Sequence, residues 1–424
     1  MCAGRTFLLF RMKFFLLFLL CTWLGSGHVM AQNEAQAADS SMAAQTPDSV
    51  AISLLTCSPG SLVYELYGHT ALRVREVLPG RYSDWVFNYG TFSFDQPHFV
   101  GRFVMGHTDY ELSVVPYAIF YDFYAQEGRG ITEQRLNLTR REAQALVNAL
   151  SDNLRPEHAV YRYNFFYDNC TTRALSIIAS CIDGRIEWPQ VQADRSLRDM
   201  VHEYSSVSPW NKFGQDLFLG READAPASFK EQCFAPLYAE RFMQQATIVA
   251  ADGSRRPLVA RTLTLLPVQA APAPALPLTP LLAFSLLAVL MAALTAYGLR
   301  RGRTLWGVNM LLMALQGTVG CFVAFLFFFS EHPTVGSNLM VLLFNPLPLL
   351  LLPWYLKHSV AARRSWVLCV QETMLLLTFL ALIGLGGQSF PPETWPIVFA
   401  LAVRCVSDEI IYRRQRRAPK AVAR

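Results

Sequence analysis

Beyond about residue 280 the chain is a succession of long apolar segments, at about 281–299, 306–329, 339–356, 366–386 and 392–407. A helical crossing of a bilayer needs about 20 such residues, and an open, unpaired backbone cannot lie in hydrocarbon. The segments therefore predict a helical membrane part. The first four are long enough to span. The fifth is weaker, because Pro396 lies in it and Arg404 and Asp408 approach its end. The loops carry the orientation signal. Arg300, Arg301 and Arg303 follow the first segment, Lys357, Arg363 and Arg364 the third, and Arg413, Arg414, Arg416 and Arg417 the fifth. The intervening loops, Ser330–Ser337 and Gly387–Glu393, hold no Lys or Arg. Five spans with basic loops inside predict that everything before the first span is exported and that the C-terminus is cytoplasmic. Composition agrees: 52% hydrophobic and 16% charged residues are too apolar for an ordinary soluble protein. The net charge of +5 is no nucleic-acid signature, since the Lys and Arg gather beside apolar segments.

At the other end, Met12-Lys13 precedes an apolar run from Phe14 to Leu24, followed by Gly25-Ser26-Gly27-His28-Val29-Met30-Ala31. This reads as a secretory signal cleaved after Ala31, with an uncleaved anchor as the alternative; Met12 is a candidate initiator. Residues 32–49 read as a linker, 50–262 as an exported domain, 263–280 as a Pro-rich spacer, 281–412 as the membrane domain and 413–424 as a basic tail. In the exported domain, Ala51 to Thr56, Thr70 to Glu76 and Trp85 to Phe92 have strand character. Thr139 and Glu142 are spaced as a capping box for a helix to about Asp152. Further helices are expected from near Cys170 and over Leu197 to Tyr204. Early strands and later helices predict an α+β fold.

One cysteine carries the chemistry. Cys170 lies in Tyr167-Asp168-Asn169-Cys170-Thr171-Thr172-Arg173, immediately before an apolar helical run. A thiol at a helix start is favoured as thiolate. His69, in Leu66-Tyr67-Gly68-His69-Thr70-Ala71, would complete a nucleophile–base pair. If Trp85 to Tyr89 is a strand, Asn88 faces opposite to Phe87 and Tyr89, which suits an amide that orients an imidazole; the alternative is a turn residue before Gly90. Tyr67 and Asp168 are further candidates for that third group. Asp168 and Asn169 also suit helix capping. Arg173 suits either phosphate contact or surface cover. Cys181 and Cys233 could form a disulfide in an oxidising compartment. Phe99, Phe103, Phe120, Tyr121, Phe123 and Tyr124 form either core or an apolar path for an acyl chain or lipid surface. His332 at the mouth of the third span, with Asn338 and Asn345 in it, suit either a phospholipid headgroup or helix–helix hydrogen bonds. The histidines show no metal-ligand spacing, and no cofactor is called for.

The segments Tyr67 to Val74, Phe87-Asn88-Tyr89-Gly90 and Asp168 to Arg173, with Ser208-Pro209-Trp210 and Asn345-Pro346-Leu347, resemble the Lnb-type lipoprotein N-acyltransferases of Gram-negative bacteria. That resemblance implies a permuted papain-like (NlpC-type) exported domain followed by about five transmembrane helices, in the inner membrane with the catalytic domain in the periplasm. It implies Cys170 as nucleophile and His69 as base. The implied reaction moves an acyl chain from a phospholipid donor to the α-amine of a diacylated lipoprotein through a Cys170 thioester. Backbone N–H groups at the start of the Cys170 helix are the expected oxyanion donors. Two other classes remain open: a periplasmic cysteine peptidase or amidase acting on cell wall, and a non-enzymatic membrane scaffold or sensor.

Overall fold

The computed structural model describes residues 49–78, 81–92, 97–190, 194–269, 277–360 and 365–417. The expected signal segment, the linker before residue 49, the middle of the spacer and the last residues of the tail lie outside them.

The exported part is built on a seven-stranded antiparallel sheet. Its strands are β1 (Ser49–Cys57), β2 (His69–Leu78), β3 (Arg81–Thr91), β4 (Asp109–Pro116), β5 (Ile131–Leu136) and β6 (Val160–Arg162), with three later strands, β7 (Gly184–Glu187), β8 (Thr247–Ala250) and β9 (Arg255–Pro257), in a second sheet and β10 (Val259–Leu266) returning to the first. The order in the large sheet is β10-β5-β1-β2-β3-β4-β6. Side chains alternate across it. Leu54, Leu72 and Phe87 enter the main core, whereas Leu55, Ala71 and Val86 enter a smaller one on the opposite face.

Helices cover both faces. Labelled in chain order, the ones that matter here are α1 (Phe99–Val104), α2 (Tyr117–Gln126), α3 (Arg140–Asn153), α4 (Cys170–Ser180), α5 (Leu197–Ser205), α6 (Pro209–Asp216) and α7 (Pro236–Gln245). The main core takes α3, α4 and α7, and α2 closes the other face through Phe120 and Tyr124. Thr139 and Glu142 do form the capping box of α3. Glu142 also accepts Asp183 N–H at 3.0 Å and pairs with Arg256, so the cap ties α3 to the small sheet. The result is an α+β domain with an antiparallel sheet.

The membrane part departs from five uniform spans. Two helices, α8 (Pro280–Arg301) and α9 (Trp306–Phe329), are long and apolar enough to cross. The expected third span is a pair, Met340–Leu350 and Leu352–Val360, bent by 59°. Pro346, Pro348 and Pro353 fall in this stretch, and proline removes a helix donor and clashes with the preceding turn. Next come α10 (Trp366–Leu382), 17 residues rather than the expected 21, and α11 (Thr394–Arg417). Arg404 and Asp408, which weakened the fifth segment in the sequence, are both buried. Arg404 Nε donates to Asn309 Oδ1 at 2.8 Å, and Asn309 Nδ2 and the Tyr355 hydroxyl donate to Asp408 Oδ2 at 2.7 and 2.9 Å.

The exported domain rests on these helices. Trp210 Nε1 donates to Leu278 O at 2.8 Å just before α8, and Phe213 packs on Phe284 within it. Ser330 Oγ and Glu331 N, past the end of α9, donate to Val104 O and Met105 O. Asn338 reaches Leu217 O at 2.7 Å, and Ser389 N donates to Asp224 Oδ2 at 3.2 Å.

Candidate active site

His69 opens β2 and is preceded by Gly68, whose φ of 80° lies in the left-handed region. A Cβ there would sit 2.4 Å from Cys57 O, so only glycine lets the chain turn this tightly against β1. Leu72 pairs with Phe87 between β2 and β3. Continued to the strand ends, that register puts Asn88 opposite Ala71, so His69 and Asn88 are diagonal neighbours on one face. Their contact follows: His69 Nε2 and Asn88 Oδ1 are 3.2 Å apart. The Asn88 amide is itself held by donation from Nδ2 to Val86 O at 3.3 Å. With the oxygen as acceptor, Nε2 carries the proton, and Nδ1 is the nitrogen left for the thiol.

Helix α4 brings the cysteine to the same place. Asn169 is its N-cap, and its Oδ1 accepts the Thr171 and Thr172 N–H groups at 2.9 Å each. Asn169 Nδ2 donates to Phe165 O and Phe234 O. The Thr70 and Thr171 hydroxyls lie 3.0 Å apart, pinning the helix start to the start of β2. The β3–β4 register shifts between Asn88 and Thr91, a bulge of the kind that re-aims side chains beside active sites. Gly90 lies within it, and a Cβ there would be 3.5 Å from Cys170 Cβ.

The thiol and imidazole lie close enough to polarise each other. Burial pushes the Cys170 thiol up, but the charge and hydrogen bond of His69, with the Thr70 N–H and the Thr171 hydroxyl, bring it net below its ordinary value. Burial pulls the His69 imidazole down, and the Cys170 sulfur and the Asn88 oxygen reverse this and raise it. Both shifts act in the direction that favours a thiolate beside an imidazolium. The other exported thiols behave oppositely. Burial pushes Cys57 and Cys233 up to about 12 and also raises Cys181. Cys181 and Cys233 are free thiols, so the possible disulfide does not form. Cys170 is half-buried and reachable from solvent. Its alkylation by iodoacetamide is accordingly expected to persist at pH values below the usual thiol range. His69→Ala should move the inflection upward; identical profiles for the two proteins would refute the coupling.

The remaining sequence candidates have partners within the protein. Tyr67 is buried among Phe165, Tyr204 and Phe234 and donates to Gln215 Oε1 at 2.9 Å, joining the site's approach loop to α6. Arg173 makes a two-pronged pair with Asp168 at 2.7 and 2.8 Å and stacks over Tyr161. A His332 ring nitrogen bonds Phe103 O at 2.6 Å. Asn338 serves Leu217 O, Met340 N and Gln388, and Asn345 serves Leu342 O and Leu347 N. These bonds join elements of the protein to one another. The expected oxyanion donors are also altered, because Asn169 engages two of the N–H groups at the helix start. Sequence reading overlooked the Thr70 N–H on the sulfur and the threonine pair, for which no local signal exists.

A helix-start thiol polarised by an imidazole, with that imidazole bonded to an amide oxygen, is the equipment of a thiol-dependent protein carried on membrane helices. The sequence matches two family models, the Lnb N-terminal periplasmic domain over residues 38–206 and the Lnb transmembrane domain over residues 273–415; the chain belongs to the Lnb family, the lipoprotein N-acyltransferases its motifs resemble. Membership implies an acyltransferase of the inner membrane with a periplasmic domain. No curated protein and no solved structure matches the chain.

Proposed function

We propose that this protein is a membrane-bound lipoprotein N-acyltransferase that works through an acyl-thioester on Cys170. The observation that carries the reading is the polarised Cys170–His69 pair, in which Cys170 is lowered while Cys57, Cys181 and Cys233 are raised, in a domain resting on membrane helices. The Cys170 thiolate attacks the ester carbonyl of a phospholipid. A carbon–sulfur bond forms, the ester carbon–oxygen bond breaks, and the His69 imidazolium gives its proton to the departing lysophospholipid. The α-amine of a diacylated lipoprotein then attacks the thioester. The amide bond forms, the carbon–sulfur bond breaks, and His69 takes the amine proton, restoring the ion pair. Asn88 keeps the imidazole facing the sulfur. Histidine on a strand before cysteine on a helix is the order of a circularly permuted papain-like core.

The topology is read as five crossings, with the bent pair counted as one. The chain before α8, the loop after α9 and the loop before α11 all touch the exported domain. Gln415 near the C-terminus instead reaches Gly302 at the far end of α8. That division supports a periplasmic catalytic domain and a cytoplasmic tail, as the basic loops require.

The test is intact-mass measurement after incubation with phospholipid alone, followed by addition of a diacylated lipopeptide. The wild type should acquire a hydroxylamine-labile acyl group on Cys170 and then pass it to the peptide amine. Cleavage of muropeptides, with no acyl adduct and no lipopeptide product, would replace the reading with that of a cell-wall peptidase.

A further inference from the structure

Five aromatic rings step from the membrane side of the exported domain to the reactive thiol. Phe103 and Phe99 on α1 stack at 6.1 Å, Phe99 on Phe92 at 5.8 Å, Phe92 on Tyr110 at 5.0 Å, and Tyr110 on Tyr163 at 4.2 Å. Tyr163 then reaches Gly90: a Cβ there would be 3.5 Å from the Tyr163 ring and equally 3.5 Å from Cys170 Cβ. The rings stack on one another, and Tyr110 and Tyr163 pack against the main core, yet Phe92, Phe99, Tyr110 and Tyr163 are each only half-buried and Phe103 is 46% exposed, so the ladder keeps an accessible side. By contrast Phe120 and Tyr124, from the same aromatic-rich stretch of sequence, are buried in the opposite core.

The outer end of this ladder is continuous with the bilayer-crossing part. Val104 and Met105, at the end of α1, accept hydrogen bonds from Ser330 and Glu331 at the end of α9. Val100 is 73% exposed beside Phe103, and Phe328 and Phe329 on the last turn of α9 are 68% and 69% exposed. Large apolar side chains exposed on two joined elements mark an interaction site, and the join to a membrane helix names lipid as what covers them. Arg102 and Arg162, both paired with Asp109, flank Phe103 and Tyr110 with charge. Apolar track inside and charge at the rim match a lipid's own division into chain and headgroup.

We propose that the Phe103–Phe99–Phe92–Tyr110–Tyr163 ladder is the binding track for the fatty acyl chain of the phospholipid donor, guiding it from the outer leaflet to Cys170. The proposal rests on the acyltransferase reading and deepens it. Glycine at position 90 leaves the last step open, where a side chain would stand against both Tyr163 and Cys170.

Two measurements on the full-length protein test it in phosphatidylethanolamine–phosphatidylglycerol vesicles. In the first, Cys170→Ala protein is illuminated with a phosphatidylethanolamine bearing a diazirine at the end of one acyl chain. Labelling is expected on the peptides holding Phe99, Phe103 and Tyr110; labelling confined to the membrane helices overturns the track. In the second, Phe99→Asp is compared with wild type for acylation of Cys170 by long-chain phospholipid and by p-nitrophenyl butyrate. Long-chain acylation should fall about tenfold or more, the effect of withdrawing apolar contact from a few methylenes, while the short ester reacts as before. Equal loss with both donors, or no loss, refutes the track. Labelling along the ladder without any acyl group on wild-type Cys170 would instead sink the thiol mechanism and leave the track standing.

Discussion

Cys170→Ser protein is expected to lose acyl transfer by a factor on the order of 10³ or more, while reaching the membrane at wild-type levels. The exchange of sulfur for oxygen removes little volume and leaves the Asn169 cap and the Thr70–Thr171 contact in place. It does remove the anion. A thiol is already brought below its ordinary value by His69, the Thr70 N–H and the Thr171 hydroxyl, whereas the same neighbours cannot ionise a serine hydroxyl to a comparable degree. Cys181→Ser is the matched control, since Cys181 caps the far end of the same helix and makes no disulfide. Transfer assays on both variants decide the matter. Substantial activity in Cys170→Ser, or equal loss in Cys181→Ser, would remove Cys170 from the mechanism.

A second large effect is expected far from the sulfur. Arg198, on α5, is 3% exposed and is fully engaged. It holds Asp224 with two nitrogens at 2.8 and 3.1 Å, Asp216 at 2.7 Å, and the carbonyls of Leu219 and Gly220. His202 also bonds Asp216, at 2.8 Å. The 217–224 segment so fixed is the one on which Asn338, Gln388 and Ser389 of the membrane part rest. Arg198→Ala would leave the buried Asp216 and the half-buried Asp224 without their arginine, a loss of about 3–5 kcal/mol. The thermal midpoint in detergent should fall by roughly 10 °C. Arg198→Lys should recover only part of it, because an ammonium cannot reproduce the two-pronged contact. An unchanged midpoint in Arg198→Ala would show that the cluster does not hold the platform.

These two sites differ in how far the sequence announces them. The Cys170 helix start is local chemistry: Asn169, Cys170 and the apolar run after them lie within one decade of residues, and the capping pattern alone places the thiol. Strand alternation likewise sets Asn88 apart from Phe87 and Tyr89, both buried in the main core. Joining His69 to Cys170, a hundred residues apart, rests on residue chemistry and is strengthened by the family resemblance, since no periodicity spans that distance. Arg198 gave no sign, because its carboxylate partners lie 18 and 26 residues downstream on other elements. The break in the third membrane segment is hidden in the sequence for a related reason. Hydropathy averages over a window, and averaging hides what Pro346, Pro348 and Pro353 do to individual hydrogen bonds.

The charges inside α11 bear on how the protein is made. A lone helix carrying Arg404 and Asp408 into the bilayer would meet an insertion penalty of about 2.5–3.5 kcal/mol for each charge near its centre. Here Arg404 answers to Asn309 on α9 and Thr295 on α8, and Asp408 to Asn309 and Tyr355. Those partners are all synthesised earlier. On the proposed five-crossing topology the last helix enters a membrane in which its counterparts already wait, and its integration depends on assembly rather than on its own hydrophobicity. Order of synthesis becomes part of the folding mechanism: a ribosome that delivered this segment first would be delivering it to bare lipid.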